Sequence, residues 1–219
     1  MKVFREQWEK VVRFHGHACP GLAQGLRVAQ AALDNLGISG PAEDEELVAI
    51  VEHDSCGTDA VQVLTGCTFG KGNLVFRDYG KQVLTLLRRE NGEGVRVYSD
   101  LNCIPVPVGY VELRQLLRDN RATIEDQQRF RNLQEERIKQ ILCIAQEKIL
   151  RIQTVNTALP PKAHLFSSIM CSCCGERVAS CRGFKVDEQF FCQPCARENY
   201  RSILARQLDG DDSGDVSQL

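Results

Sequence analysis

The chain has 219 residues, 43% of them apolar and 26% charged, with 27 basic residues set against 29 acidic ones for a formal net charge of −2. These values fit an ordinary soluble globular protein with one substantial domain and an appendage, and exclude a largely disordered chain. The near-neutral balance disfavours duplex nucleic acid as a partner, and the longest aliphatic run, residues 47–51, is far below the ~20 residues that span a bilayer. The outlier is cysteine, with eleven residues. Residues 1–10 are polar and contain no apolar leader core, so the sequence predicts a cytoplasmic protein, where dense cysteine favours metal or thiol chemistry over structural disulfides.

In chain order, Val3, Trp8, Val11 and Val12 mark a short helical stripe that stops at Phe14-His15-Gly16-His17. Pro20 suits the first turn of a helix, and Leu22, Leu26, Ala29, Leu33 and Leu36 carry that helix to Gly37. Residues 47–52 read as a buried strand, and His53-Asp54-Ser55-Cys56 leads from it into one or two helical turns over 60–64. Strands are expected over 74–79, 82–88 and 95–99, with Asn91-Gly92-Glu93-Gly94 joining the last two as a hairpin. A helix is expected over 111–118. Thr123 and Asp126 resemble a capping box opening a longer helix whose apolar stripe runs to about residue 153. Pro160-Pro161 marks a linker. Together these features predict an α+β fold, a mostly antiparallel sheet packed with helices, in a core domain over 1–158. A small C-terminal finger over 159–208 and a disordered acidic tail over 209–219 complete the expected organisation.

Six cysteines lie within 171–195. Cys171 and Cys174 form one two-residue-spaced pair, Cys192 and Cys195 another, and 17 residues separate them. That is the spacing of a structural four-thiolate zinc site, expected as a treble-clef or ribbon-like zinc finger with a hairpin turning near 186–189 and a helix over 196–208. A unit of about forty residues buries little core, so metal binding, ~10–16 kcal/mol in small finger peptides, would supply much of its folding free energy.

A second set of donors lies near the N-terminus. In an extended loop, the alternate residues His15, His17 and Cys19 would point the same way, and the start of the following helix would favour a Cys19 thiolate. Cys56 and Cys67 fall in later loops. If these loops open at one end of the fold, they assemble nitrogen and sulfur donors for zinc or another transition metal, with Asp59 orienting an imidazole. Gly66-Cys67-Thr68-Phe69-Gly70-Lys71-Gly72 does not fit a phosphate-binding loop, because its first glycine stands one residue too close to Gly70-Lys71 and Gly72 occupies the hydroxyl position. Lys71 is expected to attract an anionic cofactor or ligand into the pocket.

The ordered blocks Phe14-His15-Gly16-His17-x-Cys19-Pro20-Gly21, Cys56-x-x-Asp59-Ala60-x-Gln62 and Gly66-Cys67-Thr68-x-Gly70-Lys71-Gly72-Asn73 resemble the FmdE family of formylmethanofuran dehydrogenase operons. The cysteine pairs from Cys171 onward resemble the finger that many members carry. The resemblance implies an α+β core, a homodimer, and a core metal site with His17, Cys19 and Cys56 as ligands and His15, Asp59 and Cys67 as neighbours or alternatives. It also implies an accessory role beside a molybdenum or tungsten oxidoreductase. Two other readings follow from the residues: a metal-dependent hydrolase or transferase, or thiol redox enzyme, using the core pocket, and a finger-based adaptor for protein or nucleic acid.

Overall fold

A computed structural model of the chain describes residues 2–162 and 166–198. The chain divides into two compact units, Met1–Ala163 and His164–Leu219.

In the first unit, helices α1 (Lys2–His15) and α2 (Pro20–Asn35) precede strand β1 (Leu47–Val51), helix α3 (Gly57–Thr65) and strand β2 (Leu74–Phe76). Strands β3 (Val83–Arg88) and β4 (Glu93–Ser99), helices α4 (Tyr110–Arg118), α5 (Ile124–Cys143) and α6 (Gln146–Ile149), and strand β5 (Leu150–Asn156) follow. The five strands form one sheet in the order β2-β1-β3-β4-β5. β1 and β2 are parallel, and every other pairing is antiparallel. A parallel pair needs a crossover, and α3 supplies it. This puts the start of α3 at the carboxyl end of β1 and its last turn at the opposite end.

The Leu-Val-Ala-Ile-Val sequence of β1 is buried along its whole length, as an aliphatic run in a central strand should be. Leu47, Ala49 and Val51 join Leu84, Leu86, Val95 and Val97 in the main core, which the buried face of α2 completes. That face is rich in alanine, so α2 lies close to its neighbours. On the other side of the sheet, Val48, Ile50 and Leu87 form a smaller cluster with Val75, Val155 and Leu159. Thr123 caps α5 as expected, its hydroxyl accepting from the Asp126 amide while the Asp126 carboxylate accepts from the Thr123 amide.

Several boundaries differ from the sequence expectation. The strand expected over 74–79 stops at Phe76. α1 runs on through His15, so that imidazole stands at a helix end and not in an extended loop. α3 begins at Gly57, three residues early. The helix expected to reach residue 153 ends at Cys143, because Ile144 turns extended (ψ 147°). After one turn of α6 the chain becomes β5, paired with β4 from Ser99↔Leu150 to Glu93↔Asn156. The alternation of Leu150, Ile152 and Thr154 is the period-2 signal that the longer helical stripe obscured.

The second unit contains strands β6 (Ser168–Met170), β7 (Arg177–Ala179), β8 (Gly183–Val186) and β9 (Gln189–Cys192), and helix α7 (Gln193–Glu198). They form two antiparallel hairpins, β6-β7 and β8-β9. The turn of the second falls at Asp187-Glu188, with Asp187 in the left-handed region (φ 51°). The helix expected over 196–208 starts earlier, at Gln193, and beyond Glu198 it lies outside the described residues, as does the acidic tail expected over 209–219.

Candidate metal centre

The N-terminal centre is assembled by two helix starts and one helix end. α1 finishes on His15, and Gly16 turns the chain in the left-handed region (φ 89°). Cys19 is the N-cap of α2, in extended backbone (φ −147°, ψ 161°), and its sulfur accepts the Leu22 amide hydrogen at 3.3 Å. Cys56 stands directly before α3. Two glycines bring it to Cys19: a Cβ on Gly25 would lie 2.3 Å from the Gly57 Cα, and one on Gly21 would lie 3.5 Å from the Cys56 Cβ. The backbones of α2 and α3 therefore touch, an approach that only glycine at Gly25 permits. Sequence reasoning missed this contact, although two glycines four residues apart on an otherwise alanine- and leucine-rich helix are a signal for it.

His15 Nε2 lies 3.9 Å from Cys19 Sγ, and the donor atoms of His15, Cys19 and Cys56 all fall within 4.8 Å of one another. His15 Nδ1 lies 2.7 Å from Asp59 Oδ2 in the first turn of α3, and Gln62 Nε2 donates to Asp59 Oδ1 at 3.3 Å. A carboxylate only accepts, so the His15 proton sits on Nδ1 and the Nε2 lone pair is left for the sulfurs' side. In tetrahedral zinc sites, bonds of ~2.0–2.3 Å separate neighbouring nitrogen and sulfur ligands by roughly 3.5–3.8 Å, so this one-nitrogen, two-sulfur set fits such an ion with small adjustments.

The expected neighbours are distributed differently. His17 is exposed, and its ring packs against that of His15 at a tilt of 36° with centroids 4.5 Å apart; it stands beside the three-donor group, while His15 occupies the position within it. Cys67 and Lys71 follow the far end of α3, roughly 13 Å along that helix from Cys56 at 1.5 Å per residue. Cys67 is fully buried among apolar side chains, and burial pushes its thiol above the ordinary value of 9.0. Lys71 donates to the carbonyls of Ala42, Glu43 and Gly66 at 3.4, 2.9 and 3.1 Å, so its ammonium clamps a loop and does not face the His15 cluster. Cys19 departs from the expected thiolate: burial is the dominant influence and raises its pKa, the Cys56 thiol adds to this, and the Leu22 amide only partly opposes it.

In the second unit, the sulfurs of Cys171, Cys174, Cys192 and Cys195 also lie within 4.8 Å of one another, with Cys174 and Cys192 at 3.9 Å. The separation matches the ~3.8 Å edge of a zinc tetrathiolate with bonds of about 2.3 Å. Gly175 (φ 73°) closes the first turn through its amide to the Cys171 carbonyl at 3.0 Å. Backbone amides of Cys174 and Cys192 directed at the Cys171 sulfur bring its pKa down to about 6, so this position favours thiolate even without an ion. Cys195 is pushed up, chiefly by hydrogen bonding with Cys192. Among the described residues, Cys171, Cys192 and Cys195 form a buried cluster against which the partly buried Val178 packs. The ligands are themselves a core of this unit.

No helix among the described residues is long and apolar enough to cross a membrane. A curated relative, the "probable S-adenosyl-L-methionine-binding protein" of Archaeoglobus fulgidus, is 33% identical over 210 residues covering 90% of this chain. The chain spans about half of that relative, 55% of its length. A crystal structure of a tungsten formylmethanofuran dehydrogenase FmdE-like protein from Syntrophus aciditrophicus aligns with a TM-score of 0.55 and 29% identity, covering 88% of this chain and 91% of that one. Residues 14–151 match the family model described as "FmdE, Molybdenum formylmethanofuran dehydrogenase operon". With that match spanning more than half its length, from the His15 turn to the start of β5, the chain belongs to the FmdE family.

Proposed function

We propose that this protein is a metal-binding accessory protein of a molybdenum or tungsten oxidoreductase system, with a transition metal, zinc by its donor set, held by His15, Cys19 and Cys56. Zinc held by Cys171, Cys174, Cys192 and Cys195 would be structural. The observation that carries the reading is the convergence of one imidazole and two thiols from three separated segments, with Asp59 setting the imidazole's tautomer. Three protein donors leave a coordination position for a further ligand, which His17 or a small molecule can fill. A homodimer and the association with oxidoreductase components rest on family membership.

Metal analysis of protein expressed without a chelating tag, with anomalous scattering from its crystals, tests this. Two ions per chain are expected, one of them lost in Cys19→Ser and the other in Cys174→Ser. Occupancy confined to the four finger sulfurs in the wild type would refute the core centre.

A metal-dependent hydrolase or transferase is the second reading, favoured by the three-ligand count. A bound zinc with an open position supplies a Lewis acid and lowers the pKa of its water. The chain's own contribution would be the Asp59–His15 bond, which holds the imidazole in place, and the apolar wall around Cys19.

A further inference from the structure

The finger brings together one more sulfur than a tetrahedral ion can take. Cys171, Cys174, Cys192 and Cys195 make the four-donor group, and the Cys195 thiol also hydrogen-bonds with that of Cys173. Cys173 lies inside the first cysteine turn and is exposed. Its backbone amide is directed at the Cys171 sulfur. The main chain here therefore supports the metal site, while the side chain crosses to the first turn of α7. Four thiolates complete a zinc tetrahedron, and a fifth has no vertex to occupy.

Access and geometry decide what that fifth sulfur can do. Cys171, Cys192 and Cys195 are buried, at 1%, 7% and 8% exposure, so a small oxidant dissolved in water meets Cys173 and Cys174 first. Cys174 belongs to the four-donor group, which leaves Cys173 as the accessible sulfur outside it. A bond from Cys173 to its neighbour Cys174 is disfavoured: adjacent Cα atoms stand ~3.8 Å apart, below the ~4.4–6.8 Å that ordinary disulfides span. Cys195 comes from the other end of the finger and is already in hydrogen-bond contact, so it carries no such restraint. Bound zinc would hold Cys195 as thiolate, the form that attacks sulfur.

We infer that Cys173 and Cys195 are an oxidation site, forming a disulfide with hydrogen peroxide that releases the ion of the finger. This rests on the reading of the four cysteines as a zinc site. The Cys173 thiolate attacks one oxygen of the peroxide, the O–O bond breaks, and the departing hydroxide takes up the thiol's proton to leave as water. The Cys195 thiolate then attacks the sulfenic sulfur of Cys173; the S–S bond forms, the S–O bond breaks, and the second hydroxide leaves as water with a proton from solvent. The two sulfurs lose two electrons, and the peroxide gains them. With one of four ligands withdrawn, the hold on the ion weakens, and β8, β9 and α7 loosen with it. A dithiol reductant reverses the bond.

The test treats the zinc-loaded full chain with hydrogen peroxide, after its zinc content has been measured. Zinc release is followed with a chromophoric chelator, and disulfides are mapped by mass spectrometry with fragmentation. The wild type should release the finger ion and yield a Cys173–Cys195 cross-link, and dithiothreitol with added zinc should restore both. Cys173→Ser should hold the same zinc before treatment and release it at least tenfold more slowly, whereas Cys181→Ser, altered at the exposed cysteine of the turn between β7 and β8, should behave as the wild type. Absence of finger zinc before any oxidant would refute the zinc reading and the switch with it. Zinc present without a Cys173–Cys195 cross-link after peroxide would overturn the switch alone, as would unchanged release in Cys173→Ser, or loss of the ion from the untreated variant. The wild-type map decides the matter even if a variant does not fold.

Discussion

At the residue scale, the His15 centre turns on how burial and hydrogen bonding set protonation. Asp59 holds the His15 proton on Nδ1, so Asp59→Asn should lower core-metal affinity 10–100-fold while leaving the finger ion in place, as read by competition with a chromophoric chelator. Burial makes Cys19 a reluctant thiolate, and a cation is what would ionise it. In metal-free protein, Cys19 should therefore alkylate more slowly at neutral pH than an ordinary exposed cysteine, by mass spectrometry. Cys67 gives the clearest pH dependence because it lies outside both donor clusters. Its pKa is raised in the folded state, so folding favours the protonated thiol. That contribution is complete below the ordinary value of 9.0 and is lost as pH rises through 9.0 toward the folded value. Thermal unfolding should show the wild type losing stability above pH 9, with Cys67→Ala showing a shallower loss.

At the element scale, the centre exists because α2 and α3 touch. Gly25→Ala would place a methyl group 2.3 Å from the Gly57 backbone. Neither backbone can yield without moving its helix, so the substitution should destabilise the fold by about 1–3 kcal/mol or more, despite alanine's better helix propensity. Since the same movement parts Cys19 from Cys56, core-metal stoichiometry should fall with it, whereas Thr123→Ala in the α5 capping box should cost only ~1 kcal/mol and leave the metal content intact. Denaturant unfolding and metal analysis on the same samples separate the two effects. The α2 pattern itself was legible: Pro20 at its start and apolar residues at helical spacing placed it within a residue or two. β5 was not, because its first residues prolong the apolar spacing of α5, and only the unpaired edge of β4 shows that a strand is required there.

At the scale of the whole molecule, the two units draw on different sources of stability. Met1–Ala163 has a continuous apolar core around α2 and the sheet, while among the described residues of the second unit the buried side chains are Val186, Phe190, Phe191 and the ligand candidates Cys171, Cys192 and Cys195. A strong chelator should therefore abolish amide-exchange protection in β6 to β9 while β1, β3 and α2 remain protected. Retained protection in the hairpins after complete metal removal would contradict a metal-held finger.

The amino-acid sequence alone determined the elements whose signals are local: the α2 stripe, the aliphatic run of β1, the Asn91-Gly92 hairpin, the Thr123 cap and the paired cysteines, whose short spacings leave their sulfurs few other places to go. Only the tertiary structure decided which distant groups meet. It placed His15 within the Cys19–Cys56 group with His17 packed beside it, because α1 continues to its last possible residue before Gly16. It carried Cys67 and Lys71 to the opposite end of the sheet, because the parallel pairing of β1 with β2 makes α3 run back across the fold. Side-chain chemistry is written residue by residue, but the distance between two side chains depends on the path of the whole backbone between them.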